Sequence, residues 1–168
     1  LQMDKTEFRK LARSRVVVLD GATGTELMRR GMPPEACPEQ WVLENPKVLR
    51  DLQREYVAAG SDIVFTCTFG ANRSRLSHFG IDRDIREMTR ELAGISRQAA
   101  GDALVFGDLG PSGLFIEPLG EIKVSDMIEA KQEQVRGLLA GGVDGFVVET
   151  MMDIQEARAA LLAIRELC

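Results

Sequence analysis

The sequence predicts an α/β protein built on a parallel sheet, and two observations carry that expectation. The first is a set of four short apolar runs, Val16-Val17-Val18-Leu19, Ile63-Val64-Phe65-Thr66, Leu104-Val105-Phe106 and Phe146-Val147-Val148. Each is continuous rather than alternating, the pattern of a strand buried on both faces. The second is that helical patterns separate the runs, giving one helix and then four βα units, an order that requires crossover connections. Successive runs begin more than 40 residues apart, and the extra length falls after the strands, where α/β proteins keep their chemistry.

An amphipathic stretch over roughly 5–13 precedes the first run. After it, Asn45-Pro46 reads as a cap and a first-turn proline; Leu49, Leu52 and Tyr56 then share a face, and Gly60 stops the helix. Ile81, Ile85, Met88, Leu92, Ile95 and Ala99 form the clearest apolar stripe, ended by Gly101. A third helix is expected from Ser125-Asp126, burying Ile128, Val135 and Leu138 and ending at Gly141-Gly142. A fourth opens on the capping-box-like Asp153-Ile154-Gln155-Glu156 and presents Ile154, Ala157, Leu161 and Ile164.

The chain also echoes itself. Ala58-Ala59-Gly60-Ser61-Asp62-Ile63-Val64-Phe65-Thr66-Cys67-Thr68 matches Ala140-Gly141-Gly142-Val143-Asp144-Gly145-Phe146-Val147-Val148-Glu149-Thr150 in pattern: helix stop, Gly-x-Asp, buried strand, polar end. Recurrence two βα steps later is expected of a barrel, whose inward layers come from alternate strands. Four units make half of a TIM-type (β/α)8 barrel, so residues 1–168 read as one partial domain.

Composition narrows the function classes. The 168 residues carry 21 Lys+Arg against 26 Asp+Glu, are 45% hydrophobic, and have no uncharged stretch longer than that at 63–72. A membrane span needs about 20 apolar residues, so none is expected. Net negative charge without a basic cluster argues against nucleic acid. Cys37, Cys67 and Cys168 are odd in number and lack Cys-x-x-Cys spacing, which implies neither disulfide framework nor zinc knuckle and points to a reducing, cytoplasmic compartment. The N-terminus, Leu1-Gln2-Met3-Asp4-Lys5, has no apolar signal region, and residues ahead of Met3 suggest an excised piece.

Candidate chemistry gathers at the strand ends. Asp20-Gly21-Ala22-Thr23-Gly24-Thr25-Glu26 follows the first run and offers a carboxylate, glycines and hydroxyls to a small polar ligand; it is neither a Rossmann nor a Walker loop, and a tight structural turn is the other reading. Glu149 ends the fourth run, so it should lie near Asp20, and two carboxylates there would suit an ammonium group; a structural pairing is the alternative. The segments from Thr66 to Asn72 and from Gly107 to Gly113 are site walls or rigid turns. Cys67 is one thiol where zinc needs three or four ligands, His78 reads as a loop residue, and Trp41 either packs or flanks a pocket mouth.

Taken in order, Asp20-Gly21-Ala22-Thr23-Gly24-Thr25, Thr66-Cys67-Thr68-Phe69-Gly70-Ala71-Asn72, Gly110-Pro111-Ser112-Gly113 with Glu117-Pro118-Leu119-Gly120, and Gly142-Val143-Asp144-Gly145 leading to Glu149-Thr150-Met151 resemble the homocysteine S-methyltransferase family, particularly the homocysteine-binding module of cobalamin-dependent methionine synthase. The resemblance implies a barrel that binds homocysteine and passes its sulfur to zinc for methylation by methylcobalamin or another donor. It places Asp20 and Glu149 at the substrate's amino group and Gly21 and Ala22 at backbone positions beside it. It places the zinc ligands on cysteines after the sixth and eighth strands, with no counterpart among these residues, so no metal-ligating residue is assigned. Cys67 stands where the family usually shows Asn. Half a barrel leaves two open edges, so a second barrel half or self-association is the expected partner. The other function open to such a chain is a non-catalytic half-barrel serving assembly or weak amino-acid binding.

Overall fold

The structure, a computed structural model, describes residues 4–168; the start of the N-terminal segment read for a leader, residues 1–3, lies outside the described residues. The first helix, α1 (Lys5–Ser14), begins in a full capping box: Asp4 Oδ1 accepts the Thr6 and Glu7 N–H groups at 2.6 and 2.8 Å, and Glu7 Oε2 accepts the Asp4 N–H at 2.9 Å. Its Phe8 ring tilts against Phe106 of the sheet, centroids 5.6 Å apart.

Three strands, β1 (Ile63–Phe65), β2 (Leu104–Leu109) and β3 (Gly145–Val148), lie in the order β1-β2-β3, all parallel. Phe65 sits opposite Phe106, and Asp108 opposite Val147. Sequential neighbours joined by helices are the arrangement of consecutive barrel units. The first of the four expected strands is corrected: the run at 16–19 makes a single parallel bridge, Leu19 to Ile63, and otherwise has no regular structure. It has a neighbour on one side only, and Val16 is 81% exposed, so its apolar character does not mark a strand buried on both faces.

The internal echo has a physical cause. Asp62 donates its N–H to the Val18 carbonyl at 2.7 Å and accepts the Val18 N–H on Oδ2 at 2.9 Å; Asp144 does the same with Val105, at 2.7 and 2.8 Å. Each carboxylate is also held by an arginine, Arg15 on Asp62 and Arg97 on Asp144, both at 2.6 Å. The aspartate thus clamps the preceding apolar run, and the glycine before it, Gly60 (φ +107°) or Gly142 (φ +87°), makes the left-handed turn out of the helix.

Four long helices, α4 (Pro46–Ala58), α6 (Ile85–Ala100), α7 (Val124–Ala140) and α8 (Ile154–Leu167), pack successively beside one another. Val64, Val105 and Leu109 form a core with Ala93, Val135 and Leu138, between the sheet and α6 and α7. The helices α6 and α7 approach closely because Gly137 faces Thr89: a Cβ there would stand 1.9 Å from Thr89 Oγ1. A second core, around Leu27, Val42, Leu49, Leu76, Met88 and Leu92, lies under the short helices α2 (Gly24–Arg29), α3 (Pro38–Glu44) and α5 (Arg73–Ser77).

Those three helices fill lengths expected as loops. Other boundaries also move. The stripe from Ile81 becomes helical only at Ile85, where Asp84 accepts the Glu87 N–H at 2.7 Å. Asn45 stands at the N-cap of α4 with Pro46 in its first turn, as expected, but its side chain makes no capping bond there and donates to the Trp41 carbonyl of α3 at 3.0 Å. The third long helix starts at Val124, one residue before Ser125. In α8, Asp153 caps as expected, but the buried face is Glu156, Ala159, Ala160 and Ala163, leaving Ile154 and Leu161 75% and 53% exposed. No helix among the described residues is long and apolar enough to cross a membrane.

Candidate functional site

The C-terminal ends of the strands open into a cleft of about 390 Å³, lined by Asp20, Gly21, Ala22, Thr23 and Gly24 after the first run, Phe65, Thr66, Cys67 and Phe69 at and after β1, Asp108 of β2, Glu149 after β3, and Pro38 and Glu39 of α3. Four carboxylates and no basic side chain face it.

Asp20 is anchored by the Phe65 N–H, which donates to Oδ2 at 3.0 Å. Burial raises its carboxyl from 3.8 to about 6; the Phe65 hydrogen bond opposes that rise and the charge of Glu149 adds to it. The next residues are pressed against α4: the Tyr56 hydroxyl donates to the Ala22 carbonyl at 2.8 Å, and a Cβ on Gly21 would meet the Tyr56 ring at 2.8 Å. Glycine is therefore what lets the backbone lie flat on the cleft wall here.

Asp108 is fixed through its backbone by a threonine pair. Its N–H donates to Thr66 Oγ1 at 3.0 Å, the Thr68 hydroxyl donates to its carbonyl at 2.8 Å, and the two hydroxyls are 2.6 Å apart. The side chain is buried, and Oδ1 meets no hydrogen-bond donor. Burial, with the negative charges of Glu149, Glu39 and Asp20, pushes this carboxyl up to about 8. Glu39, also buried, accepts the Gly70 N–H on Oε1 at 2.6 Å and the Cys37 thiol on Oε2 at 3.2 Å.

The loop beyond β2 is braced from beneath. Lys131 and Glu156 form a fully buried ion pair, Nζ to Oε1 2.9 Å; Lys131 also donates to the Gly110 carbonyl at 2.8 Å, and Glu156 accepts the Ser112 N–H at 2.7 Å. The expected capping-box partner Glu156 therefore serves the Gly110-Ser112 loop rather than its own helix start.

The sequence-predicted Asp20, Gly21, Ala22 and Glu149 come together in this one cleft. Asp108 and Glu39 were not singled out: Asp108 was visible only as part of a wall segment, and Glu39 lies on α3, a helix too short to show a periodicity. Trp41 packs in the core, and His78 is exposed at the end of α5. Among the described residues no group of three His, Cys, Asp or Glu is placed to hold a metal ion. Burial raises the Cys37 thiol to about 11 and the Cys67 thiol well above its ordinary value. These residues do not fit a zinc centre.

Comparison with known proteins places the chain. The family described as homocysteine S-methyltransferase matches residues 17–168. Methionine synthases of Mycobacterium tuberculosis and Mycobacterium leprae are each 34% identical over 175 aligned residues, which cover 95% of this chain and 14% of theirs. The metallated form of the homocysteine methyltransferase MmuM from Escherichia coli superposes with a TM-score of 0.79 at 25% identity, covering 95% of this chain and 62% of that one. The chain thus spans about one seventh of the curated relatives it matches.

Proposed function

Because the chain belongs to the homocysteine S-methyltransferase family, we propose that its acidic cleft holds the α-ammonium end of homocysteine, presenting the substrate for methylation of its sulfur. The observation that carries this reading is the convergence of Asp20, Asp108 and Glu149 in a cleft without a basic side chain. A primary ammonium is compact, carries three donors and suits several carboxylate acceptors at once. Gly21 and Ala22 supply backbone beside it, held in place by Tyr56.

Zinc and methylcobalamin, which the family implies, belong in this reading to residues and modules beyond these 168. What this chain contributes is binding and orientation: the amino group is held at the strand ends, leaving the thiol to the groups that act on it. The open sides support a second barrel half, or self-association, as partner, with residues 1–168 forming one partial domain. Val16 stands 81% exposed beside β1, and Met152, Ile154 and Leu161 are 80%, 75% and 53% exposed on or near α8, beside β3. Such edges and apolar faces are ordinarily covered. Unpaired Cys37, Cys67 and Cys168 support a cytoplasmic setting.

Calorimetry with L-homocysteine and with 4-mercaptobutyrate, the same molecule without its amino group, tests the proposal. Saturable heat is expected for homocysteine alone; equal heat from both, or none from homocysteine, would refute it. The non-catalytic half-barrel is separated from a working methyltransferase by turnover in the presence of a complementing barrel half, zinc and a methyl donor.

A further inference from the structure

Asp108 poses a problem that the binding reading alone leaves unsolved. Its Oδ1 is buried and meets no donor anywhere among the described residues, although buried polar atoms of native proteins are nearly always paired. The residue is only 6% exposed, yet it lines the cleft. The groups that face it are themselves acidic or neutral: Glu149 from the end of β3, Glu39 from α3, Asp20 from the first run, and the Cys67 thiol after β1. Lys131, under the loop that follows β2, is spent on Glu156 and the Gly110 carbonyl.

Two ionised carboxylates cannot hydrogen-bond to each other, and a buried one without a donor or a cation is strongly disfavoured. Glu149 lines the same cleft as Asp108, whose Oδ1 is left without a donor. A bond between them exists only if a proton sits between the two oxygens, as in paired-aspartate sites. We propose that Asp108 and Glu149 share one proton in the empty cleft and release it to solvent when the ammonium group of the substrate takes its place. Asp108 is then a third acceptor for the ammonium, and amino-acid binding is linked to proton release. The upward displacement of the Asp108 carboxyl agrees with that placement.

This inference rests on the homocysteine reading for the identity of the cation, and two measurements keep the two separate. The first needs no ligand: the carboxyl 13C signals of Asp108 and Glu149 are followed against pH in the chain. One of the pair should titrate well above the ordinary carboxylate range, and Glu149→Gln, which removes the sharing partner, should shift the Asp108 midpoint down. Ordinary midpoints for both groups would overturn the shared proton, whatever homocysteine does. The second is calorimetry of L-homocysteine at pH 7 in two buffers of different ionisation enthalpy. About one proton should be released per homocysteine bound, and Asp108→Asn should lose that release and bind homocysteine more weakly. Heat without buffer dependence overturns the displacement but leaves the homocysteine reading standing; a raised midpoint with no homocysteine heat overturns the homocysteine reading and shows the shared proton to be independent of it.

Discussion

Replacing Asp20 with Asn should stabilise the chain at neutral pH while weakening its hold on an amino acid. The folded protein raises this carboxyl from 3.8 to about 6, chiefly by burial. The folded state therefore binds the Asp20 proton more tightly than the unfolded chain does. Stability from that proton is fully present below 3.8 and is lost as pH rises through about 6. Above that, the ionised group opposes folding by up to about 3 kcal/mol, reduced to about 1–2 kcal/mol because water reaches this half-buried side chain. Asparagine keeps an oxygen for the Phe65 N–H, which now meets Asp20 Oδ2 at 3.0 Å, and removes the charge. Urea unfolding of both proteins should give Asp20→Asn the higher midpoint at pH 7.5, with the gap closing by pH 4. An equal or lower midpoint at pH 7.5 would refute the claim that burial strains this carboxylate.

Other substitutions probe the frame around the cleft. Gly137→Ala places a Cβ 1.9 Å from Thr89 Oγ1 and 2.3 Å from the Arg86 carbonyl; a loss of about 2 kcal/mol or more is expected from forcing α6 and α7 apart, read as a lowered urea midpoint, and a neutral variant would contradict the close packing. Lys131→Met strands Glu156 in the interior and should cost about 3–5 kcal/mol, partly recovered by adding Glu156→Gln; an unchanged midpoint would mean the pair bears no part in holding the Gly110-Ser112 loop. Asp144→Ala removes the acceptor of the Val105 N–H and the partner of Arg97, for a loss of about 2–3 kcal/mol and faster hydrogen exchange at Val105 than at strand positions away from the clamp.

Much of this frame was legible in the sequence because it depends on patterns local to each element. β1, β2 and β3 coincide with continuous apolar runs, and Gly60, Gly101 and Gly142 mark helix ends by their left-handed backbone. The run at 16–19 misled because composition reports how apolar a segment is, not how many neighbours it has. The helices α2, α3 and α5 span 6, 7 and 5 residues, too few for the apolar period to repeat convincingly. In α8 the apolar spacing selected Ile154 and Leu161, but small alanines and Glu156 turn toward α7 instead, since Glu156 must reach Lys131. For the site, Asp20 and Glu149 were found by position at strand ends. Asp108 was not, because its significance comes from Glu149, Glu39 and Asp20, which converge on it from three separate segments and are far from it in sequence.

The most direct test of the acidic cleft as an amino-acid site is to follow the backbone amide signals of the chain while L-homocysteine is added. Gly21, Ala22 and Phe65 should shift together and saturate at a common concentration. Homocysteine that bound while leaving those three amides unmoved, shifting instead residues around the hollow between Phe8 and Phe146, would contradict it.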